Sequence, residues 1–189
     1  MKFLVINDLH QGMRHQKEYD LEQIRNFSGL KINLGDNFDY KNCLKNDLLN
    51  LAWLDRELSA CCNVKLQSNH EGITCQNDLA EFYFHGETKT LFTHGHILKK
   101  NYENYKADCQ TEWQGTDRIT HALKGIFNSM LRVVHFDSYN IDRACELMQM
   151  YNADTLVCGH FHPSETIDRT LLRGKRIIVL PQGVHEVEL

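Results

Sequence analysis

The stretch VCGHFHPSE, Val157 to Glu165, places His160 and His162 one residue apart directly after a short apolar run. Side chains at i and i+2 of an extended segment project to the same face. A buried strand that ends in Gly159-His160-Phe161-His162 therefore presents two imidazoles side by side. That spacing suits a metal ion, provided that other parts of the chain deliver partners to the same place.

The chain around this stretch has the bulk properties of one globular domain. It has 189 residues, a formal net charge of -4 and 42% hydrophobic residues, enough to bury a sizeable core. Charges of both signs are mixed along it, with neither a basic block nor an acidic tail. The opening MKFLVIND is too short an apolar run for a membrane span or signal peptide and reads as a first strand. Seven cysteines, an odd number without C-x-x-C spacing, fit neither a disulfide framework nor a zinc knuckle. A reduced, cytoplasmic protein is the expectation.

Strand and helix signals alternate. KFLVIN and KINLGD read as strands, the first followed by a loop. NDLLNLAWLDRELSA starts at Asn46 or Asp47 and carries Leu48, Leu51, Ala52, Leu54 and Leu58 near helical spacing. VKLQSN is a third strand, and residues 80–96 a hairpin turning at Gly86-Glu87. IDRACELMQMYNAD is a helix and TLVCGH a strand. The tail reads as two or three further strands with a turn at Arg173-Gly174. The expected class is α/β: a single domain over residues 1–189, built as a mixed α/β sandwich.

Each early strand is followed by the same kind of residue. Asp8 and His10 follow the first, Asp36 and Asp39 (in GDNFD) the second, and Asn69, His70 and Glu71 the third. His94 and His96 close the hairpin, and His160 and His162 follow the late strand. In open α/β sheets, ligands bind beyond the carboxyl ends of the strands. Oxygen and imidazole donors without thiolate suit Mn²⁺, Fe²⁺, Zn²⁺ or Ni²⁺ better than Ca²⁺. The donors outnumber the needs of one ion, and paired ions about 3.5–4 Å apart are a recurrent device for displacement at phosphorus. Each motif alone is commonplace: D-x-H triplets abound, Gly-Asp is usually a turn, and Asn-His-Glu is usually a cap or solvated loop. Their conjunction, each after an expected strand, carries the weight.

The ordered set D-x-H, G-D-x-x-D, N-H-E, H-G-H and G-H-x-H resembles the calcineurin-like metallophosphoesterase superfamily, from Asp8 to His162. The resemblance implies an α/β/β/α sandwich of two mixed sheets flanked by helices, and two divalent ions, Mn²⁺ first among them. Asp8, His10, Asp36 and His162 would hold one ion, and Asp36, Asn69, His94 and His160 the other, with Asp36 as bridge. A hydroxide shared by the ions would attack phosphorus, His70 would protonate the leaving oxygen, and Asp39 would orient His70. His96 would point toward a bound phosphate. Ser68 stands where the superfamily usually has Gly before Asn, a position that Ser enters at some cost. His15, His85, His121, His135 and His185 match no motif and are expected in the core or on the surface.

The superfamily contains phosphodiesterases, pyrophosphatases, nucleases and protein phosphatases. Protein phosphatases usually follow the second aspartate with Arg-Gly, whereas Tyr40-Lys41 follows Asp39 here. Residues 97–140 form a long insertion in which Ile119, Leu123, Phe127 and Met130 share a helical face, with Lys124 and Arg132 nearby. It partly resembles the cap of UDP-2,3-diacylglucosamine pyrophosphatases, although core packing explains most such stripes. The expectation is a phosphodiesterase or pyrophosphatase acting on a phosphorylated small molecule or nucleotide-linked substrate. A nuclease or a phosphomonoesterase of the protein-phosphatase kind is the alternative. A non-catalytic scaffold of the same fold is disfavoured by the complete ligand set, and nucleic acid by the acidic balance.

Overall fold

A computed structural model describes residues 1–12, 16–40, 43–68, 80–98 and 140–189. Nine strands lie within these residues: β1 (Lys2–Asn7), β2 (Leu30–Gly35), β3 (Val64–Lys65), β4 (Phe82–His85), β5 (Thr90–Thr93), β6 (Thr155–Cys158), β7 (Ile167–Thr170), β8 (Arg176–Val179) and β9 (Gly183–Glu188). Three α-helices accompany them: α1 (Leu21–Asn26), α2 (Leu48–Cys61) and α3 (Ile141–Met150). Most of the 97–140 insertion, with its apolar stripe, lies outside the described residues.

The strands form two mixed sheets, β3-β2-β1-β9 and β4-β5-β6-β8-β7. In the first, β1, β2 and β3 are parallel and β9 returns antiparallel against β1. In the second, β5, β6 and β8 are parallel, with β4 and β7 antiparallel at the edges. This is the mixed α/β architecture expected from the sequence.

Alternation along the strands explains the layering. Phe3, Val5, Ile32 and Leu34 point inward to meet Phe92, Val157, Ile178 and Leu180 of the other sheet. Leu4 and Ile6 point the other way, onto Ile24 of α1 and Leu51 and Leu58 of α2. On the far side, Leu91, Leu156, Ile177 and Val179 receive Ala144, Leu147 and Met148 of α3. Both sheets are thus covered on both faces, which is why β1 is buried at every residue after Lys2.

Local details depart from the sequence expectations in four places. Helix α1 was not anticipated. It is short, and its signal is Asp20, whose carboxylate accepts from the Glu22 and Gln23 N–H groups. At α2, the preceding turn is 3-10 over Lys45–Asp47 and Asp47 makes no side-chain cap. On α2 itself Ala52 is exposed, while Asp55 is buried because Lys65, Tyr40 and Ser59 hydrogen-bond it. The third strand is only Val64–Lys65, shorter than VKLQSN. The turn at Arg173-Gly174 occurs where expected, both residues having positive φ. The five cysteines within the described residues are free thiols. None of the described helices is long and apolar enough to cross a membrane.

Candidate metal centre

Parallel order brings the carboxyl ends of β1, β2, β5, β6 and β8 to one rim of the sandwich. Asp8 follows β1, and its N–H donates to Gly35 O at 3.0 Å. His10 N donates to Asp36 O at 3.1 Å, so the loops after β1 and β2 run together. Across the gap, Gly159 N donates to His94 O at 3.0 Å and joins the loops after β5 and β6 in the same way.

The backbone is strained where these residues sit. Asp8, His10, Asp36, His160 and His162 have φ between 46° and 69°. Such values are uncommon for residues other than Gly and concentrate at functional sites, where surrounding structure over-determines them. Here buried amides supply part of the restraint. Asn33 Oδ1 accepts from Gly35 N at 2.9 Å and from Asn37 Nδ2 at 2.6 Å, and Asn37 Oδ1 accepts from Leu9 N at 3.3 Å. This relay ties the Asp36 loop to the backbone between Asp8 and His10. Sequence reading missed both asparagines; the only available signal was an amide within and beside GDNFD.

The side chains form two groups, each able to hold a metal ion: Asp8, Asp36, His94 and His160, and Asp8, His10 and His162, with ligand atoms within 4.8 Å of one another in each group. In the first, His94 Nε2 lies 3.0 Å from His160 Nδ1 and 3.1 Å from Asp36 Oδ2. In the second, His162 Nε2 lies 3.0 Å from Asp8 Oδ1 and 3.2 Å from His10 Nε2. Asp8 belongs to both groups, whereas the resemblance makes Asp36 the shared carboxylate. Burial alone would raise the Asp8 pKa, but His162 and His94 outweigh it and hold the carboxyl well below the usual range. A buried set of carboxylates and imidazoles converging this closely fits a divalent cation of borderline hardness.

Of the expected residues, Asp8, His10, Asp36, His94, His160 and His162 are brought together. Asn69 and His70 lie outside the described residues. Asp39 is buried, its Oδ2 lying 3.8 Å from His10 Nδ1. Metal-bound histidines commonly turn their second nitrogen toward a carboxylate in this way. His96 is buried with its ring 5.4 Å from that of His94 and 6.4 Å from that of His160. It therefore stands at the edge of the first group and is no exposed loop histidine. Ser68 does not enter the left-handed region, so the backbone cost anticipated there does not arise. Gly35 makes room for it: a Cβ there would lie 2.4 Å from Ser68 Cβ. His85 and His185 hydrogen-bond Thr88 and Pro181 and belong to neither group.

The backbone is similar to that of several solved structures. A dimetal phosphatase from Danio rerio aligns over 100% of this chain and 92% of its own, at 12% identity and a TM-score of 0.49. A single-substitution variant of Vps29 from Entamoeba histolytica aligns over 100% and 86%, at 15% identity and a TM-score of 0.45. Wild-type Vps29 from the same organism, complexed with zinc, aligns over 96% and 74%, at 17% identity and a TM-score of 0.43. No family model and no curated protein matches the chain by sequence.

Proposed function

We propose that the chain is a dinuclear metal-dependent phosphohydrolase acting on phosphodiester or pyrophosphate bonds. The observation that supports this most directly is the convergence of two carboxylates and four imidazoles in two adjoining groups at one rim. Asp8, His10 and His162 would hold one ion, and Asn69, His94 and His160 the other. Asp8 Oδ2 already accepts from His160 N at 2.7 Å and Asn7 Nδ2 at 2.8 Å, leaving Oδ1 toward the histidines. One available oxygen suits a ligand of a single ion, so the bridge is assigned to Asp36.

Two bound divalent cations supply an acidified water and neutralise charge on phosphoryl oxygens. The chain's residues do the rest. The strained loops hold the donors so that little reorganisation is needed when substrate arrives. His70, beside Asn69, donates a proton to the leaving oxygen, and Asp39 steadies the histidines around it. His96 reaches toward a phosphate oxygen. Mn²⁺ is the first choice, with Fe²⁺, Zn²⁺ and Ni²⁺ compatible with the same donors.

The position after Asp39 bears on substrate. Tyr40 is buried and its hydroxyl donates to Asp55 Oδ2 at 3.1 Å. It delivers no cation to the rim, which favours a diester or anhydride over a dianionic monoester. The substrate is then a phosphorylated small molecule or a nucleotide-linked one. Elemental analysis of Mn²⁺-reconstituted protein should approach two ions per chain. A panel of a phosphodiester, a phosphomonoester, a nucleoside diphosphate-sugar and single-stranded DNA should show the diester or the sugar nucleotide turned over fastest. Absence of bound metal, with no hydrolysis on adding Mn²⁺, would overturn the proposal. Preference for single-stranded DNA would replace it with a nuclease.

A further inference from the structure

Six described donors reach the rim from two different sheets. Asp8, His10 and Asp36 follow strands of the first, and His94, His160 and His162 follow strands of the second. The geometry of any pair of ions held between them depends on how the two rims are fixed relative to each other.

We infer that Asn7 and Gln182 are positioning residues that clasp the two rims together at Asp8 and so set the spacing of the metal centre. The inference rests on the metal-centre reading above. Asn7 ends β1 and is fully buried. Its Nδ2 donates to Asp8 Oδ2 at 2.8 Å and to Pro181 O at 3.0 Å. An ionised carboxylate and a carbonyl only accept, so these two partners fix which way the amide faces. Pro181 lies just beyond β8 of the second sheet. Its neighbour Gln182, the last residue before β9 of the first sheet, donates from Nε2 to Asp8 O at 3.1 Å. Asn7 thus reaches the connection that leaves β8, Gln182 anchors that connection where it joins the first sheet, and both amides meet at Asp8.

Two further observations converge on the same point. His160 N, from the second sheet, donates to the Asp8 Oδ2 that Asn7 also holds, at 2.7 Å. That oxygen carries one donor from each sheet, which orients Oδ1 toward His162. At Gly159 a Cβ would lie 2.6 Å from both Asn7 Nδ2 and Asp8 Oδ2. The glycine of the G-H-x-H motif is thus required by the clasp, because any side chain there would force it open. Asp8 itself has φ 53°, a conformation that needs such support.

The test uses Asn7→Leu and Gln182→Met, which keep volume and remove the donors, with Gly159→Ala as a third and independent way to open the clasp. Mn²⁺ binding is followed by calorimetric titration, and the metal-saturated proteins by electron paramagnetic resonance for Mn–Mn exchange coupling. Metal-free melting temperatures are measured alongside. Removing an outer partner of a ligand weakens metal binding by roughly 10–100-fold, and that loss is expected here together with a changed coupling. A role confined to packing would lower the melting temperature and leave the coupling of the saturated protein as in wild type, which would overturn the inference. Gln182→Met leaves the Asp8 carboxylate contacts intact, so it gives the answer even if Asn7→Leu does not fold. A wild type that binds two ions, with all variants indistinguishable from it, defeats the clasp alone. A wild type that binds none defeats the metal-centre reading and the clasp with it.

Discussion

His162 Nε2 lies 3.0 Å from Asp8 Oδ1 although 154 positions separate the two residues in sequence. The contact closes a gap between the first strand of one sheet and the late strand of the other, and Asp8 sits where the two ligand groups overlap. Asp8 and Asp36 differ in a way that mutation can expose.

Replacing Asp36 by Asn should abolish binding of both ions, since a bridge serves each. Asp8→Asn should cost the His10–His162 ion and leave about half the metal bound. Elemental analysis at saturating Mn²⁺ reads this directly. The reverse pattern would assign the bridge to Asp8, as its membership of both groups allows.

His70→Asn should retain both ions and lose rate by roughly 10²–10⁴-fold, the usual contribution of proton transfer. The deficit should shrink for a nitrophenyl ester, whose leaving group needs no proton. Equal losses for good and poor leaving groups would remove His70 from the acid role.

Acid should destabilise the metal-free protein partly through His185. Burial lowers its pKa below the ordinary value near 6.5, an effect only partly offset by its hydrogen bond to Pro181 O and by the charge of Asp8. The unfolded chain therefore takes up the proton first as pH falls. The stability that neutral His185 contributes is present above about 6.5 and declines as pH drops toward its folded value. With chelator present, the midpoint in urea should fall less steeply between pH 7.5 and 5 in His185→Gln than in wild type. Parallel slopes would show that other groups govern the acid limb.

Asp55 tests a buried charge with no part in metal binding. It accepts from Lys65 Nζ at 2.7 Å and from Tyr40 Oη at 3.1 Å. Asp55→Ala removes the carboxylate to which the Lys65 ammonium donates and should destabilise by about 3–5 kcal/mol. Tyr40→Phe should cost only about 0.5–1.5 kcal/mol. Neither should alter the number of ions bound; a lost ion would mean that this network supports the Asp36 loop.

Much of this was legible because strand ends and chemistry coincide in the sequence. GHFH after TLVC and GDNFD after KINL announce both a buried strand and what it delivers. The extents of β3 and α2 were less legible. VKLQSN looks uniformly extended, but strand pairing stops after Val64 and Lys65, where β2 partners them at Ile32 and Asn33. Asp55 breaks the apolar stripe of α2 and yet is buried, because Lys65 and Tyr40 arrive from other elements. Asn7, Asn33 and Asn37 could not be singled out, since a lone Asn carries no spacing signal and its role exists only once two loops have met.

The described donors divide three and three between sheets, and the first sheet is itself completed by β9, whose Glu188 pairs with Lys2. Each group draws donors from both sheets, and joining them requires contacts between distant parts of the chain, the kind that form slowly. During refolding, metal uptake should therefore lag behind secondary structure and keep time with the docking of the sheets. During synthesis, the same arrangement would delay assembly of both groups until residues 183–188 have left the ribosome.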